Sequence, residues 1–257
     1  MLTLLGLGLA IAVAYFTLTW AISVRIKNYG LLDVAWSYGV AILAPLYAAN
    51  SPGAPAFKWP IVIAGSLWSL RLGTYILLRV LRHHPTEDVR YETLRRRWPG
   101  TGMFYLFFQM QAVLVVIFSL PFLIVSFSPS PQLGRLEIAG LALAVAALIG
   151  EALADWQMKR FKADPANRNR VCQAGLWRYS RHPNYFFESL TWWAYFLVAL
   201  GSPYGWVTLL CPLLMLYFLW KVTGIPLTEE YALKSKGEAY REYQRTTNAF
   251  LPWLPKK

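Results

Sequence analysis

The chain has 257 residues, of which 56% are apolar or aromatic and only 15% are charged, and its formal net charge is +12 at pH 7. This composition is too apolar for an ordinary water-soluble domain of this length. Two cysteines, Cys172 and Cys211, do not suggest a disulfide framework. We therefore expect an integral membrane protein that forms a single transmembrane domain over residues 1–257.

Seven apolar segments follow one another along the chain, each near the roughly 20 residues that cross a bilayer as a helix. The first begins at the N-terminus, but it lacks the basic n-region of a signal peptide, so we expect a retained helix. The sequence predicts an all-α, polytopic membrane protein with seven transmembrane helices. Their expected bounds are residues 2–24, 31–49, 59–81, 103–127, 136–155, 185–200 and 205–222.

The positive charges are distributed unevenly over the two sides of this topology. The links after the first, third and fifth spans, counting Arg79 at the end of the third, hold 22 of the 25 Lys and Arg residues together with the tail from Lys221. Since basic loops stay in the cytoplasm, this places the N-terminus outside and the C-terminus in the cytoplasm. We expect a multi-pass protein of the bacterial inner (cytoplasmic) membrane that contacts the lipid bilayer. We expect no nucleic-acid partner and infer no obligate protein partner.

The segment from Lys159 to Arg181 is cationic and contains seven Lys or Arg residues. It leads into His182-Pro183-Asn184, which open an apolar helix. A basic loop that runs into a helix start suits a bound phosphate or carboxylate. The alternative is that these charges only set topology and contact anionic lipid.

Ionisable residues within apolar spans are candidates for function, because burying them in a membrane is costly. Asp33, Asp155 and Glu188 occupy the second, fifth and sixth spans. The structural alternative is an interhelical ion pair, for instance between Asp33 and Arg71. The three histidines lack the Cys or carboxylate spacing of a metal site, so we predict no metal.

Several stretches resemble the DUF1295 family, relatives of the steroid 5-alpha-reductase C-terminal domain. The longest is GLWRYSRHPNYFFE, and it contains Tyr179, Asn184 and Glu188. The others are NYGLLDVAW, EDVRY, FQMQ and EALADWQ, which begin at residues 28, 87, 108 and 151.

The resemblance implies an NADPH-dependent oxidoreductase that acts on CH–CH groups of a lipophilic small molecule, an unsaturated lipid or steroid-like enone. Hydride would come from a cofactor on the cytoplasmic side, held by residues of about 151–257. Asp155 would position a ribose or an arginine, and Asn184 and Glu188 would contact the nicotinamide carboxamide or ribose. The other cofactor-binding residues it implies are Tyr179, His182 and the phosphate-binding cations Lys162, Arg168, Arg170, Arg178 and Arg181.

The catalytic residues are expected to differ from those of the reductases, which carry a Gln–Glu pair on an early helix that this chain lacks. Trp68 stands where the reductases place a carbonyl-binding tyrosine. Asp33 is our candidate donor to the substrate carbonyl, provided that burial keeps it protonated. Tyr29 and Tyr38 are the next catalytic candidates after Asp33.

A second resemblance leads to a different cofactor. Arg181-His182-Pro183-Asn184-Tyr185 and Glu229-Glu230 are similar to elements that hold S-adenosylmethionine in isoprenylcysteine and phospholipid methyltransferases. On this alternative, the two glutamates face the cationic cofactor, and His182 and Arg181 face its carboxylate. A third alternative is a non-enzymatic membrane carrier or assembly factor, whose intramembrane polar groups serve packing.

Overall fold

A computed structural model describes residues 1–98 and 100–256. Most of these residues are helical and no strand occurs among them, which confirms the all-α prediction. The α-helices, in chain order, are α1 (Leu2–Ile26), α2 (Leu31–Ala49), α3 (Pro55–His83), α4 (Val89–Arg97), α5 (Thr101–Phe118), α6 (Leu120–Ser126), α7 (Arg135–Ala163), α8 (Pro183–Leu200), α9 (Leu210–Tyr217), α10 (Ile225–Lys236) and α11 (Glu238–Thr246).

Six helical segments of the described chain are long and apolar enough to cross a membrane. They are Leu2–Ile26, Leu31–Ala49, Pro55–His83, Thr101–Ser126, Arg135–Ala163 and Gly205–Lys236. The predicted sixth span does form a helix, α8, but it is not among the six. Its first turns carry Asn184, Glu188 and Ser189, which reduce its apolar character. The count of seven spans and the orientation of the chain stay predictions.

The chain divides into two compact units. The first comprises Met1–Arg135 and Ala199–Gly205, and the second comprises Leu136–Val198 and Trp206–Lys257. In the first unit, α2 packs against α1, α3, α5 and α6. The predicted fourth span is interrupted at Ser119, since Pro121 lacks the N–H that would continue the hydrogen-bond ladder of α5.

In the second unit, α7 and α8 approach closely at two glycines. A Cβ atom on Gly140 would lie 2.7 Å from the Val198 side chain, and one on Gly150 would lie 2.4 Å from the Phe187 ring. The helix that begins with α9 passes through a π-helical turn, Phe218–Val222, before α10 and α11 complete the unit. This arrangement brings the tail of the chain against the loop that joins α7 to α8.

Candidate functional site

The loop that carries the GLWRYS sequence is fixed to α7 by two hydrogen bonds. The backbone N–H of Leu176 donates to Gln157 Oε1 at 2.9 Å, and the indole N–H of Trp177 donates to the Ala154 carbonyl at 3.0 Å. Gly175 has φ +58°, a region that favours glycine, and a Cβ there would lie 2.3 Å from the Gln157 carboxamide. The glycine is therefore required for the loop to lie this close to α7.

A buried polar cluster, which we call the Glu229 cluster, joins the end of this loop to α10 and α11. Glu229 Oε1 accepts from Arg181 Nε at 2.7 Å and lies 3.2 Å from His182 Nε2, while Glu229 Oε2 accepts from Gln244 Nε2 at 2.8 Å. Arg181 Nη1 also donates to the carbonyls of Gln244 and Thr247. The Arg181 and Glu229 side chains are only 10% and 15% exposed, so water screens this pair weakly.

His182 is almost fully enclosed in this cluster. Burial lowers the pKa of its imidazole below the ordinary value, the hydrogen bond and charge of Glu229 oppose that shift, and Arg181 adds to it. The ring also stacks on Tyr185, with 5.3 Å between ring centroids. At neutral pH the imidazole is therefore neutral and acts as a packed hydrogen-bonding group.

The C-terminal segment lies along the same loop. The N–H of Arg181 donates to the Asn248 carbonyl at 2.9 Å, and the Ser180 hydroxyl donates to the Phe250 carbonyl at 2.8 Å. The N–H of Trp253 donates to the Tyr179 carbonyl at 2.9 Å. Hydrogen bonds thus join residues 179–181 to residues 248–253 within the second unit.

Asp155 and Asn184 meet where α7 passes the start of α8. Asn184 Nδ2 lies 3.5 Å from Asp155 Oδ1, a long contact for a hydrogen bond. Asn184 Oδ1 is buried and has no hydrogen-bond partner among the described residues. Glu188, one turn further along α8, is buried and accepts from the Trp192 indole at 3.2 Å. A buried amide oxygen without a partner is costly, and this marks Asn184 as able to accept from a ligand.

Four of the predicted phosphate-binding residues are exposed cations of the loop region. Lys162, Arg168, Arg170 and Arg178 make no side-chain hydrogen bond or ion pair within residues 1–98 and 100–256. Arg181 differs, because Glu229 and two carbonyls already engage its guanidinium. The structure therefore does not support the prediction that Arg181 binds a phosphate, while the other four cations are available for an anion.

The candidate catalytic residue Asp33 lies in the first unit and has two partners. Its Oδ2 accepts from Arg90 Nη2 at 2.7 Å, and its Oδ1 accepts from the Tyr91 hydroxyl at 2.7 Å. Arg90 also donates to Asp88. The negative charge of Asp33 raises the pKa of Arg90 further above its ordinary value, and burial raises that of the Tyr91 hydroxyl.

This geometry does not favour the expected role of Asp33 as a protonated donor. Both of its oxygens accept hydrogen bonds and one faces a guanidinium, which is the environment of an ionised carboxylate. Asp33 does form an ion pair, the structural alternative to a catalytic role, and its partner in this pair is Arg90. The donor role of Asp33 stays a prediction without support from these contacts.

Tyr29 and Tyr38, the other two candidates, have separate surroundings. Tyr29 is buried and stacks on Phe104 with 3.7 Å between ring centroids, and the Arg95 guanidinium lies 4.5 Å from its ring centroid. The Tyr38 hydroxyl lies 2.9 Å from the Thr74 hydroxyl. Tyr29 therefore contributes mainly to packing, whereas Tyr38 keeps a polar contact on α3.

The start of α2 and the residues before it have partners on the link after α3 that the sequence patterns did not reveal: Glu87, Arg90, Tyr91 and Arg95. Glu87 is buried, pairs with Arg95 at 2.9 Å, and accepts from the N–H of Tyr29 at 2.5 Å. The sequence did contain a signal for this contact, because the predicted topology places the start of the second span and the link after the third span on the same side of the membrane. Charge complementarity between NYGLLD and EDVRY then indicates the pairing.

The helical architecture and its apolar spans define a multi-pass membrane protein. Residues 19–247 match the family described as "Protein of unknown function (DUF1295)", and the chain belongs to that family. An uncharacterized protein of Schizosaccharomyces pombe is 24% identical over 282 aligned positions, which cover 96% of this chain and 79% of that protein. No solved structure matches the chain. Since this relative is from yeast, the bacterial inner membrane stays a prediction.

Proposed function

We propose that the chain is a membrane-embedded, NADPH-dependent reductase of an unsaturated lipid or steroid-like enone. The observation that carries the proposal is a set of four exposed cations that make no ion pair within the described part of the chain: Lys162 at the end of α7, and Arg168, Arg170 and Arg178 on the loop that follows. This loop leads into α8, where Asn184 Oδ1 is buried. NADPH carries a 2′-phosphate at its adenosine end, a pyrophosphate in its middle and a carboxamide at its nicotinamide end. The residues present fit both ends.

In this proposal the exposed cations bind the phosphates, and arginine is well suited because its planar fork matches phosphate oxygens. Asn184 Oδ1 accepts from an amide or hydroxyl of the cofactor, which would satisfy an oxygen that has no partner among the described residues. Asp155 Oδ1 lies 3.5 Å from the Asn184 amide nitrogen, at the outer limit of a hydrogen bond, and a bound cofactor would shorten this contact only if Asn184 moved towards α7. When bound, NADPH would supply a hydride for reduction of the substrate double bond, and solvent would supply the proton that completes the reduction.

The methyltransferase alternative is less well supported, because the groups that it needs are engaged within the protein. Glu229 is held by Arg181 and Gln244 and lies against His182, so it is not available to face a sulfonium. Glu230 is exposed and pairs with Lys234 one turn away. Binding S-adenosylmethionine through these residues would require the Glu229 cluster to open.

The test of the phosphate assignment is Arg170→Ala, with NADPH and NADH affinity measured on protein in lipid nanodiscs. If Arg170 binds the 2′-phosphate, the variant loses about tenfold in NADPH affinity, the size of a lost charge-assisted hydrogen bond, and much less in NADH affinity. Arg241→Ala removes a similarly exposed arginine that pairs with Glu238 on α11, and it is the control. Equal losses for the two nucleotides would refute the assignment.

A further inference from the structure

The loop that follows α7 folds back onto the end of that helix and is contacted there by the end of α10. Asn167 Nδ2 donates to the Phe161 carbonyl at 3.2 Å, and the N–H of Arg170 donates to the Asn167 carbonyl at 3.0 Å. The ammonium of Lys236, the last residue of α10, donates to the Arg170 carbonyl. These bonds bring together three parts of the second unit that are distant in sequence.

Two lysines lie near each other where these parts meet. Burial lowers the pKa of Lys236, the charge of Lys162 lowers it further, and the Cys172 thiol opposes the shift. Burial raises the pKa of the Cys172 thiol, whereas a hydrogen bond with the Ala174 backbone and the charges of Lys236 and Lys162 lower it. The two ammonium groups are therefore close both to each other and to one buried side chain.

Within the described part of the chain, no carboxylate balances this pair of positive charges. Neither Lys162 nor Lys236 forms an ion pair there, and no carboxylate contributes to the lowered pKa of Lys236. The acidic residue next to Lys162 in sequence, Asp164, accepts instead from the N–H of Ala166 at 2.9 Å. Two like charges held close together repel each other, so an anion bound between them would stabilise the arrangement.

We propose that Lys162 and Lys236 bind one diphosphate group, and that in the proposed function this group is the pyrophosphate of NADPH. The inference rests on the proposed function only for the identity of the molecule that carries the diphosphate. Lysine binds phosphate as a point charge, and two lysines from different helices can contact its oxygens from two directions. Lys236 is thereby assigned a binding role that the sequence patterns did not indicate.

The position of the lysine pair suits a cofactor that also contacts Arg170 and Asn184. The 2′-phosphate and the pyrophosphate of NADPH are attached to the same ribose, and the bond to the Arg170 carbonyl keeps Lys236 beside Arg170. Along α7, Lys162 lies two turns, about 10 Å, beyond Asp155, which is 3.5 Å from the Asn184 amide. The lysine pair is therefore within reach of one dinucleotide that extends from Arg170 to Asn184.

Two other roles of Lys236 compete with this assignment. An anionic lipid headgroup is another source of phosphate, since basic loops of membrane proteins attract such lipids. Lys236 could also serve only to fix the end of α10 to the loop through the Arg170 carbonyl. The experiment below gives a different result for each.

The test measures the binding of NADPH, NADH and inorganic pyrophosphate by equilibrium dialysis of nanodisc-embedded protein. The variants are Lys236→Met, which removes the charge, and Lys236→Arg, which keeps it. Lys234→Met is the matched control, because Lys234 lies on the same helix but is exposed and pairs with Glu230. One series uses nanodiscs of zwitterionic lipid and a second includes anionic lipid. Melting temperatures without ligand establish that each variant is folded.

If the lysine pair binds a diphosphate, Lys236→Met loses about tenfold in affinity for all three ligands, the size of a lost charge-assisted hydrogen bond. Lys236→Arg retains most of the affinity, and Lys234→Met retains all of it. Unchanged affinity in Lys236→Met, or an equal loss in Lys234→Met, would overturn the inference. If unchanged affinity came with a lower melting temperature, Lys236 would only fix the end of α10 to the loop.

Three further results separate the inference from the proposed function. If the wild type binds pyrophosphate through Lys236 but neither nucleotide, the diphosphate site stands and the reductase proposal fails. If the wild type binds NADPH and Lys236→Met does not weaken it, the reductase proposal stands and the inference fails. The inference also fails if anionic lipid abolishes pyrophosphate binding and raises the melting temperature of the wild type but not of Lys236→Met, because the bound phosphate is then that of a lipid.

Discussion

Glu229→Gln gives the sharpest test of how the second unit is held together. The substitution keeps the size of the side chain but removes its charge and replaces one acceptor oxygen by a donor amide. That amide would face either the Arg181 Nε donor or the Gln244 Nε2 donor, which now lie 2.7 and 2.8 Å from Glu229. The variant therefore leaves a buried guanidinium without its counter-charge.

Removing one partner of a buried ion pair costs about 3–5 kcal/mol. Arg181 keeps its two bonds to the carbonyls of Gln244 and Thr247, so we expect a loss near the lower limit, about 3 kcal/mol. For a protein of this size, that loss corresponds to a fall of about 6–12 °C in melting temperature. The double variant with Arg181→Met measures how much of the loss is coupling within the pair.

The assay is thermal unfolding of protein in nanodiscs, followed by intrinsic fluorescence. Glu230→Gln is the control, because Glu230 is the next residue and carries the same charge, but its side chain is 58% exposed and pairs only with Lys234. Exposed pairs of this kind contribute little to stability, so we expect no clear change in its melting temperature. If the two variants unfold at the same temperature, the Glu229 cluster does not stabilise the second unit.

Three other predictions concern single residues. Because the pKa of His182 is lowered in the folded state, its contribution to stability is present above about pH 6.5 and is lost as the pH falls from there through the lowered pKa. We therefore expect His182→Asn to reduce the fall in melting temperature between pH 7.5 and 5.5. An unchanged slope of melting temperature against pH would contradict this. Gly175→Ala should lower the free energy of unfolding by at least about 1–2 kcal/mol, since φ is +58° and the new methyl group displaces the Gln157 side chain. An unchanged melting temperature would show that the loop can move away from α7. Asp33→Asn should cost less than about 1 kcal/mol, because Asp33 and its arginine partner are 27% and 32% exposed. The asparagine Oδ1 can still accept from the Tyr91 hydroxyl, so a larger loss on thermal unfolding would show that the ion pair with Arg90 contributes more than its exposure indicates.

The helices that the sequence predicted well are those whose apolar runs end at strong local signals. The second span, predicted for residues 31–49, coincides with α2, which is preceded by Gly30 and followed by Asn50. The break at Ser119 was missed because the residues on both sides of it are equally apolar. The predicted sixth span is a helix, but its polar first turns keep it out of the six apolar spans.

The candidate site was only partly predictable, because its decisive contacts join residues far apart in sequence. Composition and spacing indicated the basic loop as a candidate binding site, but they did not distinguish Arg181 from Arg178. In the structure Arg181 packs against Glu229, whereas Arg178 is exposed. That difference depends on α10, which begins more than forty residues later. Likewise, no local pattern near Asp33 indicates that Arg90 and Tyr91 occupy both of its oxygens.

Ligand-induced stabilisation of the wild-type protein tests the proposal that the basic loop and Asn184 bind NADPH. A ligand that binds only the folded state at a hundred times its Kd adds about 2.7 kcal/mol of stability. We expect NADPH to raise the melting temperature in nanodiscs more than NADH does. A rise with S-adenosylmethionine and none with NADPH would refute the proposal, and no rise with any of the three would favour a non-enzymatic carrier.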